Sequence, residues 1–190
     1  MIFSGLVFSS SVILYNIPIS SDIVRNFEIV ENVEAVKIQE SIVYGLPVHI
    51  NIPKINVSSS FEYVGFANDG TMGIPKSDLN VAWFELGVRP GEIGSAVIDG
   101  HLDKKNGKPA VFNKLSKLRK GDKIYVTDEN NQIITFIVRE SKKYDYKADS
   151  TNIFVSNDGI SHLNLITCGG SWSKVSKIYS KRLIVFADKE

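Results

Sequence analysis

Short apolar stretches separated by turn signals set the rhythm of this chain from Gly45 onward, and few of them are long enough to make a helix. Val48, Ile50, Ile52 and Ile55 alternate with His49, Asn51 and Lys54, the pattern of a half-buried strand, with Pro53 suited to an edge or bend. Asn56 turns the chain, because asparagine tolerates positive φ better than most residues. Further strands are expected over 61–66, 94–102, 123–127, 133–142, 163–168 and 182–187. Turns fall at Asn68-Asp69-Gly70, Arg89-Pro90-Gly91-Glu92 and Asp128-Glu129-Asn130-Asn131, while Met72-Gly73-Ile74-Pro75 returns the chain. Helix is limited to a single turn over 81–87, stopped by Gly87, and a short amphipathic helix over 111–118. Residues 144–158 read as irregular and polar, with a helix cap at Asp149-Ser150-Thr151, and 169–180 read as a loop. About eight short strands with so little helix predict an all-β domain, a closed or nearly closed β-barrel.

The 190 residues leave room for one domain of ordinary size plus an extension. With 22 basic against 21 acidic side chains there is no global field to recruit nucleic acid, so no nucleic-acid partner is expected. The most basic segment, Lys114 to Lys120, carries leucines three apart and reads as a solvated helix face. From Ile2 to Ile19 no residue is charged, close to the roughly 18 residues needed to cross a bilayer as a helix. Residues 1–20 are therefore expected to be a single-pass signal anchor, although the basic residues that usually precede such a span are missing. No A-x-A-like site follows, which favours an uncleaved anchor over a removed signal peptide. The first charges after it, Asp22, Arg25, Glu28, Glu31 and Glu34, are mostly acidic and do not oppose placing that side outside the cell. Residues 21–44 read as a stalk or surface helix, and 45–190 as the catalytic domain.

The chemistry gathers at strand ends. In Leu165-Ile166-Thr167-Cys168-Gly169-Gly170 an apolar run stops at the only cysteine and passes into paired glycines. A thiol there is held by a rigid element yet faces open space. His101 ends the apolar run Ala96-Val97-Ile98-Asp99-Gly100, and Arg182 opens Leu183-Ile184-Val185-Phe186-Ala187. Taken singly, each has a plain explanation: a small buried core residue, a satisfied strand-end histidine, a solvated charge beside Lys181. Three neighbouring strands would bring them together as nucleophile, acid and oxyanion partner, because a nearby cation favours the thiolate and a histidine can protonate a leaving amine. Arg182, the Thr167 hydroxyl and nearby backbone N–H groups could stabilise the oxyanion. Gly169 and Gly170 would free the backbone beside the thiol for a close-fitting peptide. His49 lies on the polar face of its strand, and His162, six residues before Cys168, is about 20 Å away along a strand, too far to act as base. No Cys/His cluster or H-E-x-x-H is present, so no metal and no cofactor is expected, calcium included.

Residues 165–168 resemble the T-L-x-T-C signature of the sortases, cysteine transpeptidases of Gram-positive cell surfaces, with Asn164 where the first threonine is usual. Gly100-His101-Leu102-Asp103 resembles that family's histidine motif, and Arg182 stands where its arginine opens the last strand. Ile52-Pro53-Lys54-Ile55, Asp69-Gly70-Thr71-Met72, Val81-Ala82-Trp83-Phe84 and the run from Arg89 to Ile98 are similar to the class E and F branch, and the likeness extends from about Leu46 to Ala187. The resemblance implies an eight-stranded barrel outside the membrane that recognises an LPxTG-like sorting signal. Cys168 would cleave between Thr and Gly through a thioester, which an amine acceptor such as a cell-wall precursor would resolve. His101, Cys168 and Arg182 would carry the chemistry, with Thr167, Gly169 and Trp172 shaping the substrate site. Trp172 stands where class F chains often carry a smaller aromatic. Two other outcomes stay open on sequence: a thiol hydrolase of the same fold, and an idle peptide-binding barrel.

Overall fold

The computed structural model describes residues 42–190; the expected anchor over 1–20 and the stalk as far as residue 41 lie outside them. Among the described residues there are eight strands: β1 (Pro47–Ile52), β2 (Val57–Val64), β3 (Val81–Phe84), β4 (Gly94–Gly100), β5 (Lys123–Asp128), β6 (Ile133–Asp145), β7 (Ser161–Ser173) and β8 (Ile178–Lys189). A one-turn helix, α1 (Thr151–Phe154), precedes β7, and 3-10 turns occupy Pro53–Ile55 and Leu115–Lys117. The strands close into a barrel in the order β1-β2-β3-β4-β7-β8-β6-β5, with β5 returning to β1. The β2–β3 and β4–β7 pairs are parallel and the rest antiparallel. The expected all-β closed barrel is therefore present.

The period-2 pattern decides which side chains fill it. Ala96 and Ile98 of β4, Leu163 and Leu165 of β7, and Leu183, Val185 and Ala187 of β8 point inward and join one core cluster. Each such Leu or Ile contributes about 1.5–3 kcal/mol by leaving water. Phe112, fully buried, plugs the barrel beside the end of β4. A Cβ at Gly100 would lie 2.4 Å from its ring, so only glycine fits immediately before His101. A second, smaller cluster sits on the outside of the barrel, where Ile153 of α1 covers Ile184 and Phe186, with Ile166 and Phe154 packed at its edge.

Several expectations are corrected. Residues 81–84 form a strand, not a helical turn: Val81, Ala82, Trp83 and Phe84 are all buried, so the run lacks the polar alternation that marks a strand with one wet face. Over 111–118 there is no α-helix. Phe112, Leu115 and Leu118 are buried at a spacing of three, the repeat of the 3-10 turn found there. The segment 169–180 is no loop, because β7 runs on to Ser173 and β8 begins at Ile178, a projecting hairpin whose polar residues have no core face to alternate with. In β1 a register shift between Pro47 and His49 leaves Val48 exposed and Pro47 buried. Asn56 does adopt positive φ, at 56°.

Candidate active site

In the barrel β4, β7 and β8 are consecutive, so the three strands that carry the histidine, the cysteine and the arginine lie side by side. Cys168 is the direct cross-strand partner of Arg182. Asp99 is the partner of Ile166 across the parallel β4–β7 pair, and continuing that register two residues sets His101 level with Cys168. Paired residues share a face of the sheet, so Asp99, Ile166, Cys168, Arg182 and Ile184 all lie on the outside of the barrel. Thr167 faces the opposite way. Its fully buried hydroxyl donates to the Gly100 carbonyl at 2.7 Å, which pins β7 to β4 but leaves the hydroxyl unavailable to an oxyanion. Cys168, His101 and Arg182 are half-buried, so each keeps some access to solvent.

The loop before β3 fixes the histidine. Nε2 of His101 lies 2.8 Å from the Pro75 carbonyl, and since a carbonyl only accepts, that nitrogen carries the proton. Nδ1 is then the ring nitrogen available to a reacting group. Glu62 on β2 holds the loop: its carboxylate accepts from the backbone N–H groups of Lys76 at 2.7 Å and Ser77 at 3.0 Å, and from the Asn80 amide at 3.0 Å. Burial alone would raise the Glu62 pKa, but these donors more than offset it and the carboxyl sits below its ordinary value. Nη1 of Arg182 donates to the carbonyls of Lys181 at 3.1 Å and Tyr179 at 3.3 Å.

Among the described residues no hydrogen bond links the Cys168 thiol to His101 or Arg182. Burial pushes the thiol pKa up, the Arg182 guanidinium pulls it down, and the carboxylates of Asp99 and Asp103 push it up again, leaving it above its ordinary value. Cys168 therefore rests as a neutral thiol, whereas flanking cations alone would have favoured the thiolate. Burial also raises the Asp99 carboxyl to about 7, against the opposing pull of His101 and Arg182. Asp99, Tyr179 and Pro75 adjoin this group although sequence reasoning did not single them out, and Asp103 entered it only as the last residue of the histidine motif. Of the first three, Asp99 carried a signal, standing two residues before His101 and so on the same face of one strand.

The remaining expectations sort by place. Trp172 is half exposed on the β7–β8 hairpin and packs against Tyr179 in a tilted pair, with ring centroids 5.0 Å apart. Gly170 rather than Gly169 is the sterically constrained glycine: it has φ of 74°, and a Cβ on it would meet the Ser180 hydroxyl at 2.5 Å. Gly169 has ordinary clearance beside Leu183. His162 is buried far from the thiol, with Nδ1 2.7 Å from Asp188 Oδ1 and Nε2 2.9 Å from Asp158 Oδ2, and so braces the start of β7. A cavity of about 170 Å³ adjoins it, lined in part by Ser95, Asn164, Arg139 and Lys142. Its two cations are already paired, Arg139 with Asp188 and Lys142 with Glu140. It holds neither the thiol nor His101. Among the described residues His49 hydrogen-bonds only with the Ser58 hydroxyl, at 3.0 Å.

Comparison with known proteins points the same way. The Sortase domain family model matches residues 50–190. Among solved structures, sortase C-1 from Actinomyces oris is 23% identical over 75% of this chain and 72% of its own, with a TM-score of 0.59. A lid mutant of sortase A from Corynebacterium diphtheriae is 18% identical over 80% of this chain and 74% of its own, with a TM-score of 0.59. A Clostridium perfringens sortase D5 transpeptidase is 25% identical over 80% of this chain and 83% of its own, with a TM-score of 0.57. No curated protein matches the chain.

Proposed function

The chain belongs to the sortase family of cysteine transpeptidases, and from that premise we propose how its own residues run the reaction and on what. Cys168 attacks the carbonyl of a scissile amide, the carbon–nitrogen bond breaks, and the acyl part is left on sulfur as a thioester. The thiol starts neutral, so its proton must leave as the peptide binds, and His101 is the base placed to take it and to return it to the departing amine. Arg182 releases its own-strand carbonyls to meet the developing oxyanion. A second amine then attacks the thioester, and the acyl group passes to it as a new amide. The observation that carries this reading is the direct pairing of Cys168 with Arg182 on the outer face of the barrel, with His101 one residue past the end of the neighbouring β4.

The substrate we assign is an LPxTG-like sorting signal cut between Thr and Gly. The acceptor is an amine of a cell-wall precursor, and Trp172 and the backbone at Gly169 border the bound peptide. The branch we assign is class E and F, a reading supported by the motif set from Ile52 to Ile98. Residues 1–20 anchor it in the cell membrane with the barrel outside; among the described residues no helix is long and apolar enough to cross a membrane. The test is turnover of a quenched-fluorescence LPxTG-type peptide. Cys168→Ala abolishes it, His101→Ala costs orders of magnitude, and Arg182→Ala costs about 10²- to 10³-fold, the range for a lost oxyanion donor. Unchanged turnover in Cys168→Ala rejects the proposal.

A further inference from the structure

A thioester on Cys168 can be resolved by water or by an amine, and a primary amine is mostly protonated at neutral pH. Selecting it requires a feature that water does not satisfy. Three side chains converge at the rim beyond the nucleophile: Asp103, two residues past His101, Trp172 on β7, four past Cys168, and Tyr179 on β8, three before Arg182. Trp172 and Tyr179 are cross-strand partners, and their rings meet at 57°. The Tyr179 hydroxyl donates to Oδ2 of Asp103. That bond raises the Tyr179 pKa to about 12, with burial adding to it, so the hydroxyl remains a donor throughout. Among the described residues Oδ1 of Asp103 has no hydrogen-bond donor, and no Lys, Arg or His nitrogen lies within 4.0 Å of the carboxylate.

The place of this group in the reaction follows from the strands. His101 serves the leaving amine and Asp103 follows it by two residues, so the carboxylate adjoins the side from which the amine departs, and the next amine enters by the route the first one left. Asp103 is near enough to Cys168 for its charge to raise the thiol pKa. A half-buried carboxylate without a cation is costly, and a carboxylate with a free oxygen, joined through Tyr179 to a half-exposed indole, is a combination that can take a primary ammonium. Lys174 and Lys177 lie in the exposed turn beyond the aromatic pair, where solvent screens them.

We propose that Asp103, Tyr179 and Trp172 form the acceptor subsite, and that the group they take is a primary ammonium. The proposal rests on the transpeptidase reading and adds what biases the thioester toward transfer. In that step the acceptor nitrogen bonds to the thioester carbonyl carbon and the carbon–sulfur bond breaks. The ammonium sheds two protons on becoming an amide N–H; one returns to the Cys168 thiolate and one goes to solvent. Asp103 and Trp172 hold the ammonium until that moment, and water, being neutral, gains nothing from them.

The test uses the full chain acylated by a peptide chosen from an LPxTG-type library, with amide and free-acid products quantified by mass spectrometry over a series of triglycine concentrations. Both products come from one thioester, so their ratio does not depend on how fast it forms. Asp103→Asn and Trp172→Ala each raise the triglycine concentration at which transfer equals hydrolysis by roughly tenfold. Hydroxylamine, uncharged at neutral pH, does not need the subsite, and its partition moves far less. An unchanged triglycine ratio in both variants overturns the assignment, as does a parallel loss with hydroxylamine, which would mean general loosening of the site. Absence of any thioester in the unsubstituted chain would instead reject the transpeptidase reading, and the subsite with it.

Discussion

At Cys168 burial and two carboxylates outweigh one guanidinium, and the consequence is a thiol that stays protonated in the resting protein. A site open to solvent is thereby protected from adventitious alkylation and oxidation. The sign is testable. The pH midpoint for iodoacetamide alkylation of Cys168 lies above that of free cysteine, about 8.5. Asp99→Asn moves it down, since the carboxylate it removes is charged above about pH 7, while Arg182→Ala moves it up. A midpoint at or below the free-thiol value contradicts this account. Cys168, His101 and Arg182 were legible in the sequence because each ends or opens an apolar run. Tyr179 and Pro75 were not, and Asp103 was named only within the histidine motif, because each acts through a contact between segments distant in sequence, such as Asp103 and Tyr179, 76 positions apart.

The elements around the thiol owe their precision to backbone constraints. Gly100 lets β4 pass Phe112 and deliver His101 at the height of Cys168, and the Thr167–Gly100 bond fixes the strand beside it. Gly100→Ala therefore forces the Phe112 ring or the strand to move, at a cost of about 1–3 kcal/mol for overpacking. Urea denaturation shows the loss, and peptide turnover falls more than stability alone explains, because the displaced residue adjoins His101. Full stability and full turnover in that variant would mean that the close approach is not needed. The β7–β8 hairpin illustrates why some elements were invisible in the sequence. Gly169-Gly170 and the serines and lysines that follow give a loop-like composition, yet the strands continue through a bulge between Gly169 and Trp172, with Trp172 pairing Tyr179. β3 was hidden for the opposite reason, being buried on both faces.

At the level of the whole molecule, the all-β character and most of the strands follow from local patterning, whereas the buried β3 and the order of the strands do not. That order depends on two parallel pairings, β2 with β3 and β4 with β7, which no local turn dictates. The β4–β7 pairing is the one that makes the site, because it carries the chain across β5 and β6 before Cys168 meets His101. A barrel with this closure presents thiol, imidazole and guanidinium on one outward face, and the central claim is that this face forms an acyl-enzyme. Intact-protein mass spectrometry after incubation with an LPxTG-type peptide and an acid quench tests it most directly. The account predicts an adduct of the mass of the peptide cut after Thr, present in the unsubstituted chain and absent from Cys168→Ala. A peptide library that yields no adduct on the unsubstituted chain, or an adduct that persists in Cys168→Ala, would contradict it.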